Sequence, residues 1–378
     1  MKVSCLQDNL AKGLGIVGRA VSTRSTLPVL ANVLMATDDS RLKLSATNLE
    51  IAITCWIGAK VETEGAVTVP ARTINDLVAA LPPEQVMMSL TERTQTLRLA
   101  CGRTVANVKG IDAQEFPIAP QSGGDNRVRL DTGTFRSMIN QVAFAAAADD
   151  TRPTLTGVST RFEGQQISMV ATDGFRLSMR SADLPEPVSR PAAVIVPARA
   201  LSELSRIMGD DNEAVYVSLP EGRNQIIFEM NNVVLVSQLI EGAFPDFQAI
   251  IPRRFNTQAT LTTADFRKAC KTVDIFARES NHSARIVIEP GSSALETGYA
   301  TIAATSVETG DNEVQLDAAV EGGAVEVAFN VKFLSDVLNV IDTPQVVLAS
   351  NSPVEPGVLR PVGKDDFTHV IMPMHSGR

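Results

Sequence analysis

Apolar residues recur along this chain with two different periods. Ile74, Leu77, Val78 and Leu81 stand at i, i+3, i+4 and i+7, the spacing that gathers side chains on one face of a helix. Phe333, Leu334, Val337, Leu338 and Ile341 predict another such helix, and Phe135, Met138, Ile139, Val142, Ala143 and Ala146 a third. Between the helical stretches lie short runs that alternate apolar and polar residues, such as Leu42-Lys-Leu-Ser, which read as half-buried strands. The order is a helix, several short strands, a second helix and more strands. That order fits an α+β fold with antiparallel sheet and not a series of βαβ crossovers.

The pattern also repeats. Val67-Thr-Val-Pro-Ala-Arg72 returns as Val194-Ile-Val-Pro-Ala-Arg199 and, more weakly, as Val327-Ala-Phe-Asn-Val-Lys332. Each copy ends in a basic residue and opens an amphipathic helix. Ala46-Thr-Asn48, Ala171-Thr-Asp173 and Ala304-Thr-Ser306 form a second series, each closing an alternating strand. Phe116-Pro117, Phe244-Pro245 and Met372-Pro373 form a third, and Thr23-Arg-Ser-Thr-Leu27 is echoed by Thr151-Arg-Pro-Thr-Leu155. Landmarks that keep one order and one period of about 128 residues imply tandem repeats. Three similar domains follow, near 1–122, 123–252 and 253–378, each beginning with a helix. Gln121-Ser-Gly-Gly-Asp-Asn126 is the expected first linker, and Ile250-Ile-Pro-Arg-Arg254 marks the second joint.

Composition narrows the chemistry. Of 378 residues 44% are apolar but only 4% aromatic, so the cores must be aliphatic. The start of the chain lacks a secretory h-region and no apolar run reaches the ~18 residues of a membrane span, so a soluble, cytoplasmic protein is expected. Cys5, Cys55, Cys101 and Cys270 are scattered without a C-x-x-C pair, and are read as buried hydrophobes, not as metal ligands, disulfide partners or nucleophiles. Only three histidines are present: His282 in a polar loop, and His369 and His375 in what reads as a C-terminal tail. Imidazole catalysis is therefore poorly supplied.

Gly13-Leu-Gly15-Ile-Val-Gly18 matches the dinucleotide fingerprint in letters. That motif requires a strand directly before it and a helix opening at the glycines. Here Gln7 to Lys12 already read as helix, so the glycines are taken as helical. Asp149-Asp150 and Asp210-Asp211 follow helices and read as loop acids, and Asp173, before Gly174, as a turn acid. No cofactor and no metal are expected.

Net charge is −9, which speaks against an ordinary basic nucleic-acid binder. Cations nevertheless collect on the repeated helices and their mouths, among them Lys12, Arg19, Arg206, Arg267, Lys268 and Lys271. Arg72, Arg199 and Lys332 hold one place in three repeats, and Arg24 and Arg152 one place in two. A recurring cation suits the repeating phosphates of a nucleic-acid backbone.

With these landmarks the chain resembles the bacterial DNA polymerase III beta-subunit family, the sliding clamps, over essentially its whole length. The resemblance rests on Thr26-Leu-Pro-Val-Leu30, Val69-Pro-Ala-Arg72, Val170-Ala-Thr-Asp-Gly-Phe-Arg-Leu177, Val194-Ile-Val-Pro197, Gly242-Ala-Phe-Pro-Asp246, Phe329-Asn-Val-Lys332 and Val370-Ile-Met-Pro-Met374. It implies the DNA clamp fold, with two helices packed on antiparallel sheet in each domain and two chains closing head to tail into a homodimeric ring. The implied protein is not an enzyme. It encircles duplex DNA without reading sequence and tethers the replicative polymerase for processive synthesis, in the cytoplasm at the nucleoid. Topological attachment removes the need for net positive charge, and an acidic exterior keeps DNA off the outside.

By the resemblance Arg24, Arg72, Arg152 and Arg199 line or approach DNA, and the repeat adds Lys332. The resemblance further implies a pocket between the second and third domains for short Gln-, Leu- and Phe-containing peptides of the polymerase catalytic subunit, clamp-loader subunits and repair proteins. Its positions here are Leu155, Thr172, Gly174, Phe175, Arg176, Leu177, Pro245, Val370, Met372, Pro373 and Met374. Arg176 is expected to hold peptide backbone or carboxylate. Phe175 stands where many relatives have His, Pro153-Thr154 replaces an aromatic pair, Ala249 replaces a basic rim residue, and His375 to Arg378 extend the end of the chain. Dimer contacts are expected at Ala106 and Val108 and on the helix carrying Phe276. Two other functional classes stay open at this stage. One is a metal-dependent hydrolase using Asp149, Asp150 or Asp173; the other is a repeat scaffold without nucleic acid.

Overall fold

The computed structural model describes residues 1–22, 27–117, 127–209, 214–292 and 297–374. Three rounds of one element series run through it. The first is β1 (Lys2–Leu6), α1 (Gln7–Val17), β2 (Asn32–Asp38), β3 (Arg41–Thr47), β4 (Ile51–Gly58), a short β5 (Lys60–Thr63), β6 (Ala66–Pro70), α2 (Ala71–Ala79), β7 (Gln85–Thr91), β8 (Thr96–Cys101) and β9 (Thr104–Lys109). The second omits the short strand: β10 (Arg127–Asp131), α3 (Thr132–Val142), β11 (Gly157–Glu163), β12 (Gln166–Thr172), β13 (Arg176–Asp183), β14 (Ala192–Pro197), α4 (Ala198–Ile207), β15 (Ala214–Ser218), β16 (Gln225–Met230) and β17 (Val233–Gln238). The third repeats the second: β18 (Thr257–Thr262), α5 (Thr263–Ala277), β19 (Ser283–Glu289), β20 (Gly298–Ser306), β21 (Gly310–Gly322), β22 (Val325–Asn330), α6 (Val331–Leu338), β23 (Gln345–Ser350), β24 (Gly357–Pro361) and β25 (Phe367–Ile371). Each round thus opens on a strand and not, as the periodicity suggested, on a helix. Five residues such as Lys2–Leu6, running straight into the apolar stripe of α1, are too short to show a separate period.

All strand pairing is antiparallel. The described residues form two compact units, 1–133 with 203–239, and 134–202 with 240–378. The first unit holds a sheet in the order β5-β1-β7-β8-β9 and another in the order β10-β15-β16-β17-β4-β3-β2-β6. The second holds one sheet in the order β14-β11-β12-β13-β25-β24-β23-β18-β21-β20-β19-β22. Repeats are therefore joined edge to edge by hydrogen-bonded strands. β17 pairs with β4 from Val233↔Cys55 to Ser237↔Ile51, and β25 pairs with β13 from Phe367↔Arg180 to Ile371↔Arg176.

The cores are aliphatic. In the first unit α1 lies beside α2 and across β3 and β4. Gly13 makes the close approach possible: a Cβ there would meet Leu44 Cδ1 at 2.7 Å and Ile57 Cγ2 at 3.0 Å. The glycines of the dinucleotide-like string thus sit inside α1, and Gly13 serves packing. In the second unit α5 and α6 lie together, α5 against β20 and β21, over a core that includes Phe266, Phe329, Leu334, Val337 and Phe367. The helix stripes read from the sequence are buried, with Ile74, Val78, Phe135, Met138, Ile139, Val142, Leu334 and Val337 all essentially inaccessible. Cys5, Cys55, Cys101 and Cys270 are free and buried. Burial pushes the Cys5 thiol up to about 12 and the Cys55 thiol up to about 11, and raises Cys270 as well, so none of these three supplies a thiolate.

His369 corrects the sequence reading. It is not in a tail but within β25, fully buried and paired across the ladder with Ser178. Its Nδ1 lies 2.5 Å from the Ser178 hydroxyl and its ring stacks on Phe144 with centroids 5.5 Å apart. Burial, then the charge of Arg176, lowers its pKa from 6.5 to about 3, so it is neutral at physiological pH. His282 follows α5 with φ +60° and places Nδ1 2.6 Å from Asp274 Oδ1. His375 lies outside the described residues.

Candidate DNA-facing cations and peptide pocket

The three strands that precede the second helix of each round, β6, β14 and β22, deliver their cation to the same helix position. Arg72, Arg199 and Lys332 are each the second residue of their helix, on α2, α4 and α6, and all three are exposed. Arg72 makes only a loose i,i+4 contact with Asp76 at 3.8 Å, both side chains being highly exposed. Asn330 caps α6 by accepting from the Lys332 and Phe333 amides, which fixes where Lys332 emerges. Three other helix cations, Arg19, Arg206 and Arg267, are spent differently, whereas Lys12, Lys268 and Lys271 are exposed. Glu203 holds Arg19 at 3.0 Å and Arg206 at 2.7 Å, and Arg267 Nη2 donates to the Ile341 carbonyl at 3.3 Å. Arg24 lies outside the described residues, as do Gln121-Ser-Gly-Gly-Asp-Asn126 and Asp210-Asp211.

Arg152 is exposed, but its guanidinium reaches the turn between β12 and β13, with Nη2 donating to the Asp173 carbonyl at 2.9 Å. That turn is built by side chains. Thr172 Oγ1 donates to the Arg176 carbonyl at 2.6 Å and accepts from the Gly174 amide at 3.0 Å. Asp173 Oδ1 accepts from the Phe175 and Arg176 amides at 2.9 and 3.0 Å, which makes Asp173 the expected turn acid. Gly174 takes φ +93°, open to glycine at no steric cost. Asp149 is a loop acid that accepts from Thr151, which lowers its pKa; Asp150 is exposed beside it.

The pocket residues converge around this turn. Leu177 opposes Val370 across β13 and β25, and the two join Val170 and Val358 in a small apolar cluster under Phe244, Phe247, Ile251 and Phe255. Pro245 is exposed in that overlying segment, next to Phe244. Met372 donates its amide to the Phe175 carbonyl at 2.8 Å, which holds Met372, Pro373 and Met374 beside the turn; Met374 in turn donates to the Ala328 carbonyl at 2.8 Å. Phe175, Met372 and Ile250 present exposed apolar surface at 62%, 37% and 44%. From the sequence Ile250 was read only as part of the second domain joint, because no repeat landmark ties it to the pocket residues. Leu155 is buried, its amide bonded to the Arg152 carbonyl.

Arg176 departs from expectation. Its Nε donates to Asp173 Oδ2 at 3.0 Å, Nη1 to Asp336 Oδ2 at 2.6 Å and Nη2 to the Phe144 carbonyl at 3.0 Å. The guanidinium also lies 5.3 Å from the Phe144 ring and 4.3 Å from the Phe333 ring, and the side chain is 11% exposed. Such a group is committed to two carboxylates and two aromatic faces and is not a free cation in this chain. Asp336, Phe144 and Phe333, which hold it, carried no signal in the sequence because each also fits an ordinary helix position.

Among the dimer candidates, Ala106 and Val108 lie on β9, the edge of the five-stranded sheet. Val108 is buried against its own unit, so its side chain is not available to a partner and β9 offers backbone instead. Phe276 is half-buried against the core of α5, while its neighbour Ile275 is 56% exposed.

Comparison with known proteins finds similarity along the whole chain. Models of the N-terminal, central and C-terminal domains of the DNA polymerase III beta subunit match residues 1–120, 129–246 and 248–375. A beta sliding clamp of Staphylococcus aureus is 30% identical over 385 residues, covering 100% of both chains, and that of Staphylococcus epidermidis is similar to the same degree. A DNA polymerase sliding clamp from Bacillus subtilis superposes with a TM-score of 0.93 at 26% identity, covering 100% of both chains. A Pseudomonas aeruginosa sliding clamp solved with bound griselimycin gives 0.90 at 29% identity, again over 100% of both chains. The chain belongs to the DNA polymerase III beta-subunit family, the bacterial sliding clamps, which are non-catalytic processivity factors of DNA replication.

Proposed function

We propose that two copies of this chain close head to tail into a ring around duplex DNA, and that Arg72, Arg199 and Lys332 face its phosphates. The observation that carries this reading is the threefold placement of an exposed cation at the second residue of the second helix of each round. Contacts of that kind are made to the backbone and not to base edges, so they hold DNA at any sequence. Loose, solvated contacts also permit sliding, and a closed ring needs no net positive charge. Arg24 belongs to the same set by the repeat, whereas Arg152, bonded to the Asp173 carbonyl, connects the DNA side to the peptide pocket.

The seams within the chain support head-to-tail closure. The last strand of each later round pairs with the third strand after the first helix of the preceding round, β17 with β4 and β25 with β13. The last strand of the first round, β9, lies at the edge of its sheet among the described residues. In the third round the corresponding strand is β21, whose Gly310–Ala318 stretch pairs with β20 on one side only. A second copy supplies β21 to β9 by the rule used twice inside the chain, with Ala106 and Val108 contributing through backbone and Phe276 and Ile275 flanking.

The pocket around Leu155, Thr172, Gly174, Phe175, Leu177, Pro245, Val370, Met372, Pro373 and Met374 then serves short Gln-, Leu- and Phe-containing peptides of the replicative polymerase, the loader and repair proteins. Methionine and phenylalanine at its rim suit varied apolar anchors. The place of work is the cytoplasm, at the nucleoid, and no reaction is catalysed.

Sedimentation and small-angle scattering test the ring. The expected result is twice the mass of one chain with the pair-distance profile of a hollow disc. A monomer at every concentration, or a solid particle of dimer mass, overturns it.

A further inference from the structure

A second cleft adjoins the small apolar cluster and shares Val170, Met179, Phe247 and Ile251 with it. It has a volume of about 510 Å³ between residues 247–253 and the face of β11, β12, β13 and β24. Its floor is apolar, made by Val170, Met179, Phe247 and Ile251, and its mouth carries Arg161, Arg253 and Arg360. Ser159 and Ser168 add two hydroxyls on the sheet side. Among the described residues no carboxylate lines it. In a chain of net charge −9 that is a local inversion of sign.

None of the three arginines is held by a carboxylate among the described residues. Arg161 and Arg253 are exposed, and neither has an ion pair among the described residues. Arg360 is half-buried over the Phe255 ring at 5.6 Å, and its Nε donates to Thr368 Oγ1 at 3.3 Å. Its two Nη groups have no hydrogen-bond partner among the described residues. This differs from Arg176 and Arg180 on the neighbouring strand β13, which are held by Asp173 and Asp336 and by Asp366. Guanidinium groups left unpaired beside an apolar floor match a ligand that brings carboxylates together with an aliphatic or aromatic group.

We propose that this cleft binds acidic-apolar peptide segments of partner proteins, at a site that adjoins the pocket at Leu177 and Met372 but is not lined by either residue. The volume lies within the range of sites that enclose ligands of drug size, which suits a few side chains. A single-stranded nucleic acid fits less well. Such strands need a track of cations with several aromatic platforms, whereas here the arginines converge on one hollow with one aromatic, Phe247. The site extends the peptide-tethering role without depending on it, because none of its charged residues belongs to the first pocket.

The test is fluorescence anisotropy on the full chain with a labelled, acetylated Glu-Phe-Glu-Leu-Glu peptide and its Gln-Phe-Gln-Leu-Gln counterpart. The acidic peptide should bind at least tenfold more tightly than the neutral one. R161E/R253E, which alters two exposed side chains and should leave the melting temperature unchanged, should remove that advantage. Removal of residues 372–378 should leave it intact, and an excess of a Gln-Leu-Ser-Leu-Phe peptide should not displace the acidic one. Equal affinity for the two peptides, or an advantage that survives R161E/R253E, overturns the assignment. Displacement by the Gln-Leu-Ser-Leu-Phe peptide also overturns it, since both then share one pocket. Binding of oligothymidylate that R161E/R253E abolishes, without binding of the acidic peptide, reassigns the cleft to nucleic acid and overturns it too. Failure of the Gln-Leu-Ser-Leu-Phe peptide to bind the wild-type chain counts against the pocket of the proposed function and leaves the acidic-peptide result standing.

Discussion

The two strand seams that join the repeats share one backbone plan and differ in what fills it. At the first, Thr47 Oγ1 donates to the Ile51 carbonyl and accepts from the Leu49 amide, while Asn48 Oδ1 accepts from the Glu50 and Ile51 amides. At the second, Thr172 and Asp173 make the same four hydrogen bonds to residues 174–176. Five ladder pairs then follow in each. In the first the middle pair is Ile53 with Leu235, and both are buried hydrocarbon. In the second it is Ser178 with His369, also buried, with Arg176 and Arg180 at either end of the five. The first seam only joins. The second carries a buried polar network beside exposed Phe175 and Met372, so the repeat supplies the joint and the side chains supply the site. A neutral histidine and an arginine between two carboxylates cost desolvation that the Ile–Leu pair does not.

The largest effect on this contrast should come from Arg176→Ala. It leaves Asp173 and Asp336 without their shared cation, and breaking a buried pair from one side costs about 3–5 kcal/mol. Chemical denaturation should show a loss of that order, whereas the conservative Arg176→Lys should recover part of it. A loss below ~1 kcal/mol would mean that the second seam is no more dependent on its polar groups than the first.

Acid comes next. His369 has a folded pKa below its unfolded value, so the fold favours the neutral ring. Its contribution is complete above about pH 6.5 and is lost as pH falls towards 3, because the unfolded chain takes up a proton that the folded chain refuses. Between pH 6.5 and 5 this amounts to about 2 kcal/mol. Stability measured across that interval should fall by roughly that much more in the wild type than in the double variant Ser178→Ala with His369→Leu, which copies the apolar first seam. Equal acid sensitivity in the two proteins would remove His369 from the account.

Ser178→Ala alone should cost about 1–3 kcal/mol at pH 7, since it strands the imidazole Nδ1, while the double variant should be near neutral. Thermal melts of the two side by side check the difference. The smallest effects belong to the turns. Leu49 is held at φ +77° where its counterpart Gly174 takes +93°. Leu49→Gly should stabilise by a few tenths of a kcal/mol or leave stability unchanged. Gly174→Ala should destabilise by about 1 kcal/mol, because its Cβ would lie 2.8 Å from Arg152 Nη1 as well as requiring left-handed backbone.

Much of the architecture was legible because repetition multiplies weak signals. One Val-x-Val-Pro-Ala-Arg string means little, but three copies fixed to one helix position located Arg72, Arg199 and Lys332 from the sequence alone. The helix stripes were legible for the same reason that they are buried. The opening strands β1, β10 and β18 were not, because five or six residues leading directly into a helix give no separate period. His369 was misplaced since nearness to the C-terminus says nothing of burial when the last strand is central in a sheet. Arg176 was recognised as a pocket residue but given a free charge. Its partners Asp336, Phe144 and Phe333 lie far along the chain or on helices, and only folding brings them together. The Arg161, Arg253 and Arg360 cluster has the same origin, being three single arginines from separate segments.

The central claim is that one cation, repeated in three domains, faces the duplex. Its most direct measurement is the salt dependence of duplex binding by the wild type and by R72E/R199E/K332E, at matched oligomeric state. All three residues are exposed, so the variant should fold and assemble as the wild type does. The account predicts weakened binding at every DNA sequence and a shallower slope of log affinity against log salt, by up to about one unit for each phosphate that is no longer neutralised. Unchanged affinity and an unchanged slope in a correctly assembled variant would contradict it.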